Sequence, residues 1–151
     1  MENVFEKVTR IGIDTSPFIY FIEENEKYLR VLTFLFGKID TGSIKAFSSV
    51  LTLAEVLVQP FVKGEQCLIN EYISILTNSE NLSLIPVEKE IAVLAAEIRA
   101  KNSLKLPDAL HFATAKAYKC ELFITNDKHF NEISNSEIQI VLLDDLLDKN
   151  V

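Results

Sequence analysis

The sequence predicts an α/β fold in three layers, with a central, mostly parallel sheet covered by helices on both faces. Short runs rich in β-branched and aromatic residues alternate with longer segments of helical periodicity. Those helical segments are long enough to cross from one parallel strand to the next. The chain has 151 residues, of which 48% are hydrophobic and 25% charged. We therefore expect a single domain over residues 1–151.

The strands and helices follow each other from the N-terminus to the C-terminus. β-Branched or aromatic runs predict five strands, at residues 9–13, 45–49, 82–87, 122–125 and 138–143. Helical spacing of apolar residues predicts six helices, at 17–22, 27–36, 51–63, 66–76, 89–101 and 107–118. In a parallel sheet of this kind, ligands gather at the carboxyl ends of the strands.

Composition limits the classes of function. The formal net charge is −7 and the isoelectric point is near 4.9, which argues against a protein that coats nucleic acid through a basic surface. A nuclease remains compatible, because cations held by acidic residues cancel part of that charge and attract phosphate.

Cys67 and Cys120 form no CxxC pair, which predicts two reduced, structural thiols. The N-terminus lacks a basic start followed by an apolar stretch, and no run approaches the roughly 18 apolar residues of a membrane span. These features predict a cytoplasmic protein with no membrane association.

Asp14 stands at the tip of the first predicted strand. Ser16 is the expected N-cap of the following helix and Pro17 its first residue, because proline loses no useful hydrogen bond there. Asp14 is then free for another role. The alternative is a turn aspartate that bonds nearby N–H groups.

Glu55 lies in a strongly apolar helical segment, where a buried carboxylate would need a partner. Thr52, Glu55 and Gln59 share one stripe of that helix and form a narrow polar seam that can line a pocket. A solvated stripe on a helix that is otherwise buried is the alternative.

Asp108 follows Pro107 at the start of a helix rich in small residues, which can pack closely against the sheet. Helix-start chemistry alone also explains this pair. His111, three residues later, shares its helix face and is either a metal ligand with Asp108 or a supporting residue. The supporting role is preferred, because no second histidine or cysteine completes a zinc-type set.

Asn126 and Asp127 follow the fourth predicted strand as Asp14 follows the first. Either could simply cap the next short helix. His129, beside them, is expected at the surface. One shared site explains this pattern, two strands that end in acids and two helices that present acids, better than independent capping does. The four acids therefore predict a cation site.

The motifs Asp14-Thr15-Ser16, Thr52-Leu53-Ala54-Glu55, Pro107-Asp108-Ala109-Leu110-His111 and Thr125-Asn126-Asp127 resemble the PIN domain. The chain looks like the single-domain ribonuclease toxins of VapBC toxin–antitoxin pairs, and the resemblance spans nearly the whole chain in the family's order.

The resemblance implies a carboxylate-bound Mg²⁺ or Mn²⁺ and endonucleolytic cleavage of RNA. Asp14, Glu55, Asp108 and Asp127 would be the acidic quartet of catalytic and metal-binding residues, with polar support from Ser16, Thr52 and Asn126. Oxygen-only ligands suit these hard cations, which keep water molecules for reaction. Four lysines near the motifs are candidates for phosphate contact or are plain surface charge: Lys105, Lys116, Lys119 and Lys128.

The resemblance also implies a small antitoxin that blocks the active site and a homodimer of the toxin. The apolar segments 66–76 and 27–36 are either surfaces for these partners or part of the core.

Other readings fit less well. Ser16 stands where haloacid-dehalogenase-type phosphatases have a second aspartate, and receiver domains need an adjacent acidic pair that is absent here. A binding module that keeps the fold without catalysis is the alternative from another class.

Overall fold

The computed structural model describes residues 4–133 and 137–147 and contains one five-stranded sheet in the order β3-β2-β1-β4-β5. All four strand pairings are parallel. The strands are β1 (Arg10–Ile13), β2 (Lys45–Ser49), β3 (Leu82–Ile85), β4 (Leu122–Thr125) and β5 (Gln139–Leu142). The predicted parallel α/β architecture is confirmed.

The α-helices are α1 (Thr15–Ile22), α2 (Leu29–Asp40), α3 (Leu51–Lys63), α4 (Gln66–Asn78), α5 (Lys89–Lys101), α6 (Leu106–Ala117) and α7 (Leu143–Leu147). A 3₁₀ helix spans Lys128–Glu132. The 3₁₀ helix corresponds to the short helix that Asn126 or Asp127 could cap in the capping alternative. Helix α7 was not predicted, because five residues are too few to show a helical period. Leu143, predicted as the end of the last strand, instead begins α7.

Two hydrophobic clusters lie on opposite faces of the sheet. One joins α1, α2, α3, α4 and α7 to side chains such as Ile11 and Ile13, and the other joins α5 and α6 to side chains such as Phe47 and Phe123. Because alternate residues of a strand point to opposite faces, Gly12 faces α6 while its neighbours face the first cluster.

Gly12 allows a close approach between β1 and α6. A Cβ atom at this position would lie 2.5 Å from Cβ of Ala115 and 3.1 Å from Cδ2 of Phe123. The glycine in the strand and the small residues of the helix therefore hold α6 tightly against the centre of the sheet. This packing confirms the prediction, made from its alanines, that α6 packs closely.

The two central strands define the edge where a ligand is expected. The chain runs from β1 outward to β2 and β3, and then returns to β4 on the other side of β1. Such a switch in direction leaves a crevice at the carboxyl ends of the two strands. Asp14 follows β1 and Asp127 lies just beyond β4, so both stand at this crevice.

The apolar residues of segments 27–36 and 66–76 belong mainly to the core. Leu32 and Leu35 of α2 and Ile69 and Tyr72 of α4 are buried. The core alternative therefore accounts for these segments better than a partner surface does. Cys120 is buried, whereas Cys67 is exposed on α4, so a structural role fits only Cys120. Within the described residues, no helix is long and apolar enough to cross a membrane.

Candidate active site

A cavity of about 510 Å³ opens at the carboxyl edge of β1 and β4. All four predicted acids line it, together with Ser16 and Asn126. The rest of its lining consists of Thr15, Ile19, Tyr20, Lys128 and His129. Residues that are up to 113 positions apart in sequence, such as Asp14 and Asp127, thus share one space.

Asp14 is buried and serves as the N-cap of α1. Its Oδ1 accepts a hydrogen bond from the backbone N–H of Thr15 at 2.8 Å, and its Oδ2 accepts one from Thr125 Oγ1 at 2.7 Å. The expectation that Ser16 caps this helix is wrong, because the extended backbone of Asp14 already places a carboxylate at the cap. Burial raises the pKa of the Asp14 carboxyl above its ordinary value, despite these bonds and the nearby His111.

Ser16 lies inside the first turn of α1. Its hydroxyl oxygen is buried at the cavity and has no hydrogen-bond partner among the described residues. A buried hydroxyl without a partner is costly, so Ser16 is suited to bind a ligand in the cavity.

Glu55 is less buried than the sequence predicted, because its side chain is 43% exposed. It does have partners: Oε1 contacts Nε2 of His111 and accepts a hydrogen bond from Thr15 Oγ1 at 3.1 Å. The hydrogen bond with His111 lowers the pKa of the Glu55 carboxyl.

The predicted polar seam of α3 reaches the cavity only at Glu55. Thr52 is buried behind it, with its hydroxyl 3.4 Å from Thr15 Oγ1, and Gln59 is exposed and does not line the cavity. The helix around them is also less buried than expected, since Val58, Phe61 and Val62 are exposed.

His111 is only 3% exposed and points its Nε2 at Glu55. Its Nδ1 has no hydrogen-bond partner among the described residues. Burial works to lower the pKa of His111, but the hydrogen bond with Glu55 and the charge of Asp14 outweigh it and raise the pKa above its usual value. The imidazole is therefore biased toward the cationic form beside three carboxylates.

Asp108 is half-buried in the first turn of α6, where Pro107 is the second helical residue rather than the first. Its pKa is raised by burial and by the negative charges of Asp14, Asp127 and Glu55. These carboxylates therefore repel each other when no cation is bound.

Asp127 caps the 3₁₀ helix, as the capping alternative anticipated. Its Oδ1 accepts the backbone N–H of His129 at 2.9 Å and lies 2.7 Å from Nδ1 of the same residue. His129 is exposed, as expected, but it lines the cavity as well.

Asn126 is held by a network that the sequence did not reveal. Its Oδ1 accepts the backbone N–H of Asp144 at 3.2 Å, and its Nδ2 donates to the Tyr28 hydroxyl at 3.0 Å. That hydroxyl in turn donates to Asp144 Oδ1 at 2.6 Å. Asn126 therefore fixes the loop after β4, and Tyr28 and Asp144 are too distant in sequence to have been found by pattern.

Two threonines were also missed as site residues. Thr15 bonds Glu55, and Thr125 bonds both Asp14 and, at 3.1 Å, the backbone N–H of Asp127. The available signal was a hydroxyl residue within two positions of each strand-tip acid.

A second cavity of about 250 Å³ adjoins the first and shares Asp108, Asp127 and His129 with it. Lys105 lines this second cavity and Lys128 lines the first. Lys116 and Lys119 instead line a separate depression with Cys120 and Glu121. Of the four lysines considered from sequence, only Lys105 and Lys128 flank the acids.

The donor set fits a hard divalent cation in its chemistry. It offers four carboxylates and the unpartnered hydroxyl of Ser16, all of them oxygen ligands. In the described part of the chain, however, no three Asp, Glu, His or Cys side chains converge closely enough to hold one ion as placed.

Fold and site together define a parallel α/β domain with an acidic cavity at the switch point of its sheet. The chain belongs to the PIN domain family, whose model matches residues 11–136. PIN domains of the VapC type are nucleases. None of the curated protein sequences is a significant match.

Solved toxin structures share this fold. A chain of a toxin–antitoxin complex from Klebsiella pneumoniae is 21% identical, with a TM-score of 0.63 and coverage of 89% of this chain and 98% of that chain. The sarcin–ricin loop cleaving toxin VapC20 of Mycobacterium tuberculosis is 14% identical, with a TM-score of 0.67 and coverage of 87% and 99%. VapBC2 from Rickettsia felis, solved with a promoter DNA fragment, is 17% identical, with a TM-score of 0.63 and coverage of 87% and 98%.

Proposed function

We propose that this protein is a Mg²⁺- or Mn²⁺-dependent endoribonuclease that hydrolyses RNA phosphodiester bonds in the cytoplasm, and that residues 1–151 form one toxin domain of a toxin–antitoxin pair. The observation that carries the proposal is the meeting of Asp14, Glu55, Asp108 and Asp127 in one cavity at the switch point of the sheet. Membership of a nuclease family supports the same class of reaction.

The carboxylates and the Ser16 hydroxyl would hold the cation. When bound, it activates water and neutralises charge that develops on the phosphate oxygens. Asp14 is held rigidly by Thr15 and Thr125, whereas Asp108 and Asp127 border both cavities. Lys105, which lines the second cavity, and Lys128, which lines the first, can contact the phosphates of a bound RNA strand.

Incubation of the purified protein with labelled RNAs tests the activity. We expect internal cuts that require Mg²⁺ or Mn²⁺ and that stop when a chelator removes the ion. Cleavage in chelated buffer would contradict the metal mechanism, and intact RNA in the presence of both ions would contradict the nuclease.

Metal binding has a separate readout in thermal stability. Because the ion binds the folded chain, we expect millimolar Mn²⁺ to raise the melting midpoint. Asp14→Asn should remove that rise, since it takes one charge from the cavity. The non-catalytic binding module would be favoured by a midpoint that does not move in the unaltered protein.

A protein partner is expected on the exposed apolar face of α3. Val58, Phe61 and Val62 are 55%, 61% and 74% exposed and follow Glu55 at helical spacing, Val58 one turn and the other two about two turns beyond it. A chain that covers this face therefore lies beside the acidic cavity. We assign the face to the antitoxin, which would cover the site from there.

Phe61→Asp should abolish copurification of the coexpressed antitoxin while leaving RNA cleavage unchanged. A charge at the centre of an apolar contact is strongly unfavourable, whereas the exposed position tolerates it in the free chain. Lys63→Ala on the same helix is the control.

Light scattering of the free protein tests the expected homodimer. A measured mass near 17.1 kDa, which is that of one chain, would contradict the homodimer.

A further inference from the structure

The contact between Glu55 and His111 joins the two helical layers over the end of the sheet. Glu55 belongs to α3, whose buried residue Val56 packs in the first hydrophobic cluster. His111 belongs to α6, whose buried residues Ala109 and Phe112 pack in the second cluster. Thr15 at the start of α1 completes the group, with its hydroxyl 3.1 Å from Glu55 Oε1 and 3.3 Å from His111 Nε2.

Glu55 is held differently from Asp14 and Asp127, the two acids that follow the strands. Asp14 and Asp127 each accept a backbone N–H, which fixes their carboxylates close to the main chain. Glu55 stands within a helix and is 43% exposed, and among the described residues its carboxylate bonds only to the side chains of Thr15 and His111. Without them, a glutamate side chain would sample several rotamers in solvent.

His111 is suited to hold it in place. Its ring is almost completely buried, so the packing of α6 fixes its orientation. The Nδ1 atom has no partner within the described residues, which is a cost for a buried polar atom. If His111 served only to fill the core, nothing would offset the cost of its unpartnered Nδ1. The contact between Nε2 and Glu55 gives the imidazole a role that does.

We propose that His111 is a positioning residue, which with Thr15 holds Glu55 Oε1 so that the other carboxylate oxygen is available to a divalent cation in the cavity. The inference rests on the proposed function in treating Glu55 as a ligand. Supporting residues of this kind typically contribute about ten- to hundredfold to metal affinity.

The test measures Mn²⁺ affinity by calorimetry without RNA, using two amide substitutions. In His111→Gln the amide nitrogen takes nearly the place of Nε2, and in His111→Asn it lies near Nδ1 and cannot reach Glu55. We expect the asparagine variant to bind Mn²⁺ about ten- to hundredfold more weakly and the glutamine variant to recover most of that loss. Thr114→Val, which removes another buried polar group of α6, should bind like the unaltered protein.

A double variant shows whether His111 acts through Glu55. Glu55→Gln with His111→Asn should bind no more weakly than Glu55→Gln alone, because the supported ligand is already gone. Additive losses, or normal affinity in His111→Asn, would overturn the inference. If Mn²⁺ binding follows the expected pattern but RNA stays intact with both ions, the positioning role holds and the proposed nuclease fails. If the unaltered protein binds no Mn²⁺, the positioning role fails, and RNA cleavage with Mg²⁺ decides the nuclease separately.

Discussion

Asp108→Asn should reduce RNA cleavage by about a thousandfold or more while leaving the fold intact. Several kcal/mol of transition-state stabilisation by the cation would be lost, and each 1.36 kcal/mol corresponds to a factor of ten in rate. Asparagine keeps the size and one acceptor oxygen of aspartate but not its charge. Single-turnover cleavage at saturating Mn²⁺ measures the loss, with circular dichroism as the check on folding.

The same substitution should stabilise the metal-free protein. The pKa of Asp108 is raised by burial and by the charges of Asp14, Asp127 and Glu55. A carboxyl whose pKa is higher in the folded state lowers stability at neutral pH, since the unfolded chain ionises it more readily. The asparagine side chain would carry no charge and would relieve this repulsion. We therefore expect a higher melting midpoint without metal and a smaller rise on addition of Mn²⁺.

The combination of lost activity and raised stability distinguishes a charged active site from a structural cap. A helix-start aspartate would stabilise α6 through its charge, so its replacement would lower the midpoint. A lower melting midpoint together with full RNA cleavage would show that Asp108 only stabilises the start of α6. Glu90→Gln is the matched control, because Glu90 is also in a first turn, that of α5, and lies outside both cavities.

The sheet was predictable from sequence because each strand is a short apolar run between helices long enough to be crossovers. Residues 45–49 and 122–125 match the observed strands at both ends. The order of strands was not predictable, since it depends on which crossover passes over which face. That order places β1 beside β4 and so brings Asp14 to Asp127.

The acids of the site were accessible from sequence because charge at the end of a buried strand or within an apolar helix is conspicuous. Their supporting residues were not. Thr125 is an ordinary strand residue until its hydroxyl is seen on Asp14. Tyr28 and Asp144 meet Asn126 only through the fold, and the burial of Glu55 was overestimated because its helix exposes an apolar face.

Gly12→Ala should produce the largest loss of stability among conservative changes in the sheet. In a strand, replacing glycine with alanine normally stabilises the fold by roughly 0.5–1 kcal/mol, because glycine loses more conformational freedom on folding. Here the added Cβ would lie 2.5 Å from the Cβ of Ala115, and both atoms are fixed to backbone. Overpacking of this kind costs typically about 1–3 kcal/mol, so the unfavourable contact decides the sign.

Thermal unfolding measures the effect, and we expect a decrease in the melting midpoint of roughly 3–10 °C for a chain of this size. Gly37→Ala is the control: Gly37 lies inside α2 with nothing within 4 Å of an added Cβ, so the same change should raise the midpoint. If Gly12→Ala also raised it, the close approach of α6 to β1 would be contradicted.

The double variant Gly12→Ala with Ala115→Gly isolates the contact. Ala115→Gly alone should cost about 1 kcal/mol, because glycine is a poor helix former. In the double variant the helix no longer carries the Cβ that blocks the alanine introduced into β1, so the loss of stability should be smaller than the sum of the two single losses.

Helix α6 carries both Asp108 and His111. Displacing it in Gly12→Ala should therefore also weaken Mn²⁺ binding, and the double variant should restore that binding together with the packing. Restored packing with Mn²⁺ binding still weakened would mean that the cavity does not depend on the seating of α6 against β1.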